Sequence, residues 1–73
     1  MPRTLDVRGL RCPLPLIRAR AVLAADRLAP GEALEVLATD PEAPIDLGAL
    51  AADEGLDLTV EHADGEWRMT LSR

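Results

Sequence analysis

Cys12 is the only cysteine in a chain of 73 residues, and it stands directly before two closely spaced prolines in GLRCPLP, residues 9–15. If Cys12 is the N-cap of a helix, Pro13 takes its first position and Pro15 its third, where backbone N–H groups have no partner inside the helix. A later start would make Pro15 a helix breaker, so the prolines themselves define the frame. That frame places the thiol at the positive end of a helix dipole and beside Arg11, which predicts a lowered pKa and an accessible thiolate. Pro13 and Pro15 supply no N–H, leaving the Leu14 N–H as the expected donor to the sulfur. Gly9 is expected to supply the backbone angle that lets the loop present Cys12.

A single thiol restricts the chemistry. No intrachain disulfide or two-cysteine redox cycle can form, and with one histidine the chain lacks the usual ligand set for structural zinc. His62 is predicted on a distant hairpin, so a Cys/His catalytic pair has no support. What remains is chemistry that needs one exposed nucleophilic sulfur: accepting a group, holding it and passing it to another protein's thiol. A lone cysteine often packs as a small hydrophobe, but a strand-to-helix junction flanked by prolines and arginines favours the functional reading. Arg18 and Arg20 are candidates for guiding an acidic partner to the thiol. The competing reading is a regulatory or interaction module, in which Leu10, Leu14 and the proline-locked helix start form a docking surface and the thiol is incidental.

The elements that must position this residue follow from pattern. TLDV, residues 4–7, alternates as a first strand. From Pro13 to about Leu28 the chain is rich in Ala and Leu and stops before Pro30-Gly31, which predicts a helix. Its inner stripe is expected to be Leu16, Ala19 and Leu23, with Ile17 flanking. EALEVLA, residues 32–38, reads as a covered central strand. A second helix is expected over Ala43 to Glu54, with Asp40 or a neighbour as cap, Pro44 in its first turn, Asp46 complementing its start, Gly55 stopping it, and Leu47, Leu50 and Ala51 on one face. The end of the chain is two alternating runs joined by Asp64-Gly65, a type I′ hairpin signal. Its register follows: Ala63 opposite Glu66, His62 opposite Trp67, Val60 opposite Met69 and Leu58 opposite Leu71. The predicted order βαβαββ gives a two-layer α/β sandwich, a four-stranded mixed sheet with two helices on one face.

Composition sets the outer bounds. The length predicts one domain over residues 1–73, and the apolar fraction of 48% with a single aromatic, Trp67, requires a core of Leu, Val, Ile and Ala. Thirteen acidic against eight basic side chains, net −5, oppose direct nucleic-acid binding. Stacking aromatics for RNA are also lacking. The opening MPRTLDV has no apolar core of signal-peptide length and no stretch approaches a membrane span, so a cytoplasmic, membrane-free monomer without cofactor or metal is expected.

At this point the sequence resembles the TusA/SirA-like family of small sulfur carriers, to which YedF is related. The likeness rests on LDVRGLRCPLP, whose Cys-Pro-x-Pro element follows Gly-Leu, on PGE at 30–32, on TDP at 39–41 with Asp46 following, and on Gly55. The resemblance implies a βαβαββ sandwich in which Cys12 carries sulfane sulfur as a persulfide and Pro13 and Pro15 shape the helix start. It also implies a cysteine desulfurase or rhodanese-type donor and a downstream sulfur-relay acceptor, as in tRNA thiolation, sulfur oxidation or molybdenum cofactor maturation. Ala21, Leu50 and Leu56 depart from residues common in the family, where a lysine, a nearby aromatic and a histidine are frequent, and these bear on partner choice.

Overall fold

The β3–β4 hairpin shows most directly how local pattern becomes structure. Asp64 and Gly65 take φ of 54° and 74°, the doubly positive pair that a type I′ turn requires. With two loop residues the register is set: Ala63 pairs with Glu66, His62 with Trp67, Val60 with Met69 and Leu58 with Leu71. All four expected pairs are present.

The computed structural model describes residues 3–73. Along it run β1 (Arg3–Asp6), α1 (Leu14–Ala25), β2 (Ala33–Ala38), α2 (Ala43–Glu54), β3 (Asp57–Ala63) and β4 (Glu66–Ser72). The strands form one mixed sheet in the order β1-β2-β4-β3. β1 and β2 are parallel; β4 is antiparallel to both β2 and β3. This is the expected two-layer α/β sandwich. Parallel neighbours demand a crossover, and α1 provides it.

One face of the sheet is covered. Leu34, Val36 and Ala38 of β2 and Met69 and Leu71 of β4 lie in register on that face. They are buried together with Ala19 and Leu23 of α1 and Leu47, Leu50 and Ala51 of α2. Among the described residues no polar or charged side chain is buried, so the core between sheet and helices is held by apolar burial. Val60 belongs to the same face but is 42% exposed, on β3 at the edge of the sheet. The opposite face carries Glu35, Leu37, Glu61 and Arg68, with Arg68 Nε 3.5 Å from Glu35 Oε2.

The helices depart from the pattern reading in instructive ways. α2 has the expected bounds and ends at Gly55 in the left-handed conformation, φ 66°, but its N-cap is Glu42 and no side chain caps it. Asp40 acts one step earlier: its Oδ1 accepts the Glu42 N–H at 2.8 Å and its carbonyl accepts the Ala43 N–H at 3.0 Å. α1 stops at Ala25, three residues short of Leu28. Asp26 is extended, and its carbonyl is taken by Arg3 Nη1 at 2.8 Å, so the chain leaves the helix early and turns Leu28 into the core, where it is 3% exposed. The inner stripe is Pro15, Ala19 and Leu23, with Leu16 half-buried. Ile17 does not flank it and is 48% exposed.

Candidate functional site

Cys12 sits where two loops leave the parallel pair β1 and β2 on the same side. Parallel strands place their carboxyl ends together, the crevice that open α/β sheets commonly use for function. The loop after β1 brings Gly9 to Pro13; the loop after β2 brings Thr39 to Glu42 and the start of α2. Gly9 has φ +83°, the backbone angle expected of it, and its N–H donates to Thr39 Oγ1 at 2.9 Å. Leu10 is half-buried against the core, and its N–H donates to the Val7 carbonyl at 3.2 Å. The Cys12 N–H donates to Asp40 Oδ2. Two side chains of one loop thus pin the backbone of the other.

The Cys12 thiol is exposed, as a reactive sulfur must be. Its frame differs from the expectation. The N-cap of α1 is Pro13, not Cys12; the Leu14 N–H, expected to face the sulfur, donates instead to the Arg11 carbonyl at 2.8 Å. The Cys12–Pro13 peptide is cis. Pro15 lies in the first turn of α1, where it costs no hydrogen bond, and its ring is buried.

The electrostatics are the reverse of the expectation. Cys12 Sγ lies 3.0 Å from Asp46 Oδ2 on the first turn of α2, close enough for the thiol to donate a hydrogen bond to the carboxylate. That bond favours the protonated form. Partial desolvation and the charges of Asp46, Asp40 and Glu42 act in the same direction, and together they push the thiol from 9.0 up to about 11. The lowered pKa predicted from the helix dipole and Arg11 is therefore overturned. Helix dipoles fall off within a turn and here the sulfur lies outside the cap, whereas a carboxylate in contact acts at full strength. Arg11 acts on Asp40, whose carboxyl is held below its usual range chiefly by the Glu42 and Cys12 N–H groups and secondarily by that guanidinium.

An open cleft of about 330 Å³ adjoins the thiol, lined by Gly9, Leu10, Arg11, Thr39, Asp40 and Pro41. It is open to solvent rather than enclosed. Among the described residues no group of three or more His, Cys, Asp or Glu side chains is placed to hold a metal ion, and no helix is long and apolar enough to cross a membrane. Arg18 and Arg20 are exposed on α1, and among the described residues neither forms an ion pair with the carboxylates around Cys12. A second cleft of about 200 Å³ lies beside the β3–β4 hairpin, lined by Leu37, Glu61, Trp67 and Arg68. Sequence reasoning missed Asp46 as a contact of Cys12 and cast Asp40 only as a helix cap. The signal was there in the topology, since parallel β1 and β2 oblige the loops after them to meet.

The chain is thus a βαβαββ sandwich presenting one exposed thiol at the carboxyl ends of its parallel strands. The chain belongs to the sulfurtransferase TusA family, whose pattern it matches over residues 3–73. It is similar to a candidate sulfur carrier protein of Neisseria meningitidis serogroup A, 50% identical over 93% of this chain and 90% of that protein. It is also similar to the sulfur carrier protein TusA of Allochromatium vinosum, 41% identical over 84% of this chain and 78% of that one. Among solved structures, the SirA-like protein of Desulfitobacterium hafniense superposes with a TM-score of 0.81 at 30% identity, covering 93% of this chain and 92% of that one.

Proposed function

We propose that the protein is a sulfur carrier in which Cys12 accepts sulfane sulfur from a cysteine desulfurase or rhodanese-type donor and delivers it to a downstream acceptor protein. The observation that carries this reading is the exposed thiol beside an open cleft at the ends of β1 and β2. Transfer needs no cofactor. In loading, the Cys12 sulfur attacks the outer sulfur of the donor's persulfide; a new S–S bond forms on Cys12, the donor's S–S bond breaks, and the donor sulfur leaves as a thiolate that takes up the proton Cys12 gave up. In delivery the acceptor thiolate attacks the outer sulfur of Cys12-S-SH, and the Cys12 sulfur leaves and is reprotonated. No net oxidation occurs in either step.

A carrier of this kind must meet its partners closely enough for sulfur to reach sulfur, and the surface near the helix starts supports that. Leu14, Ile17 and Ile45 are exposed apolar side chains on the leading halves of α1 and α2, and Arg18 and Arg20 offer positive charge to an acidic partner. Gly9, Leu10, Arg11, Pro13 and Pro15 serve by shaping the loop. The test is intact-mass analysis after incubation with a cysteine desulfurase and cysteine. One added sulfur is expected, removable by reductant and absent in Cys12→Ser; uptake by Cys12→Ser, or none by the native chain with any donor, refutes the reading.

A further inference from the structure

The contact between Cys12 and Asp46 asks for a role that the cap of α2 does not supply. Asp46 stands on α2, 34 positions from Cys12, yet its Oδ2 meets the sulfur at 3.0 Å, and among the described residues it makes no ion pair. The backbone on both sides of this contact is fixed. Asp40 ties the Cys12 N–H to the loop that leads into α2 and holds the Glu42 N–H at 2.8 Å with its other oxygen. The pair is thus held from both ends, which a chance approach of two surface side chains would not require.

We propose that Asp46 is a positioning residue that holds the empty Cys12 as a hydrogen-bonded thiol, so that the sulfur becomes nucleophilic only when a docked donor separates the pair. The inference rests on the carrier reading and deepens it. An exposed thiol is open to oxidants and to mixed disulfides between turnovers, because the thiolate is the reactive form. A carboxylate in contact suppresses that form. Ionisation of Cys12 would set a sulfur anion against the Asp46 carboxylate with the charges of Asp40 and Glu42 nearby; of the two cations in the same loop, Arg11 acts on Asp40 and Arg8 is paired with Asp6 and Glu66. A thiol at about 11 is ionised roughly a hundredfold less at neutral pH than one at 9.0. A partner that draws Asp46 away, or presents a cation to it, removes the suppression at the moment of transfer.

The experiment is the pH profile of Cys12 alkylation by iodoacetamide, compared between the native chain and Asp46→Asn, with no donor present. The native midpoint is expected well above that of an ordinary thiol, and in Asp46→Asn it falls by about one to two units. The thiolate fraction at neutral pH then rises up to a hundredfold, and since nucleophilicity falls as pKa falls, alkylation accelerates by about tenfold net. A native midpoint near 9, or a midpoint unmoved by Asp46→Asn, overturns the proposal. A merely structural Asp46 changes the melting temperature but leaves the profile in place; if Asp46→Asn shows no cooperative melt, Asp46→Ser provides the same comparison. Because no donor is used, failure here leaves sulfur loading untouched, and failure of loading leaves the profile standing.

Discussion

The β3–β4 turn and the β1–α1 loop lie at the same end of the sheet, bridged by Arg8 Nη1 and Glu66 at 3.5 Å, and they are held in different ways. The turn is made by its own residues: Asp64 and Gly65 adopt positive φ, and the register of both strands follows. The thiol loop is made by residues elsewhere. Gly9 is held by Thr39, the Cys12 backbone by Asp40 and its sulfur by Asp46, contacts that span 28 to 34 positions for Cys12 and 30 for Gly9. A turn of the first kind can only connect. A loop of the second kind presents a side chain whose chemistry answers to what the other element brings.

The sharpest way to break this comparison is Asp40→Ala. It removes the acceptor for the Cys12 N–H and for the Glu42 N–H, letting the thiol wander by an ångström or so while the sheet persists. Sulfur uptake measured by mass is expected to fall about a hundredfold, the effect of misplacing a reacting atom on that scale, with little change in the far-UV spectrum. The converse is Gly65→Val. A β-branched residue at φ 74° costs about 1–2 kcal/mol, read by chemical denaturation, and Cys12 alkylation should be unchanged. A Gly65→Val variant that loses thiol reactivity would show that the turn and the thiol loop are not independent, and an Asp40→Ala variant that keeps full uptake would show that the thiol loop is not held from the β2–α2 loop.

The smallest effects lie in the pH dependence of stability, where two groups on the thiol side of the comparison act with opposite sign. Cys12 has its folded pKa raised to about 11, so its contribution is fully present below the unfolded value near 9 and lost as pH rises through 11. Asp6, held down to about 2 by its hydrogen bonds with Arg8, contributes above the unfolded value near 4, and that contribution is lost as pH falls toward 2. Denaturation midpoints across pH should therefore decline on both limbs. Cys12→Ser is expected to remove the alkaline decline and leave the acid one.

The same contrast explains what could be read from the residues alone. The hairpin register and the bounds of α2 were legible because Asp64-Gly65, Pro44 and Gly55 act on their own neighbourhood. The end of α1 was not, because Arg3, 23 positions away from Asp26, takes the carbonyl that helix continuation would leave open. Cys12 was legible as the candidate site residue from its uniqueness and its prolines, and its thiol is exposed. Its electrostatics were not, because a helix dipole can be inferred locally whereas the carboxylates of Asp40 and Asp46 arrive through the pairing of β1 with β2. Read through that pairing, the two loops form a single site.

One further consequence follows from the hairpin. Trp67 is the chain's sole aromatic residue of the Phe, Trp and Tyr group, and its ring stacks on the His62 imidazole with centroids 3.9 Å apart and an interplanar angle of 16°. Ultraviolet emission from this protein therefore comes from one indole in one defined environment, at the sheet end where the Cys12 thiol is exposed. Whatever disturbs that stack becomes visible as a change in light, with no dye attached and no second fluorophore to subtract.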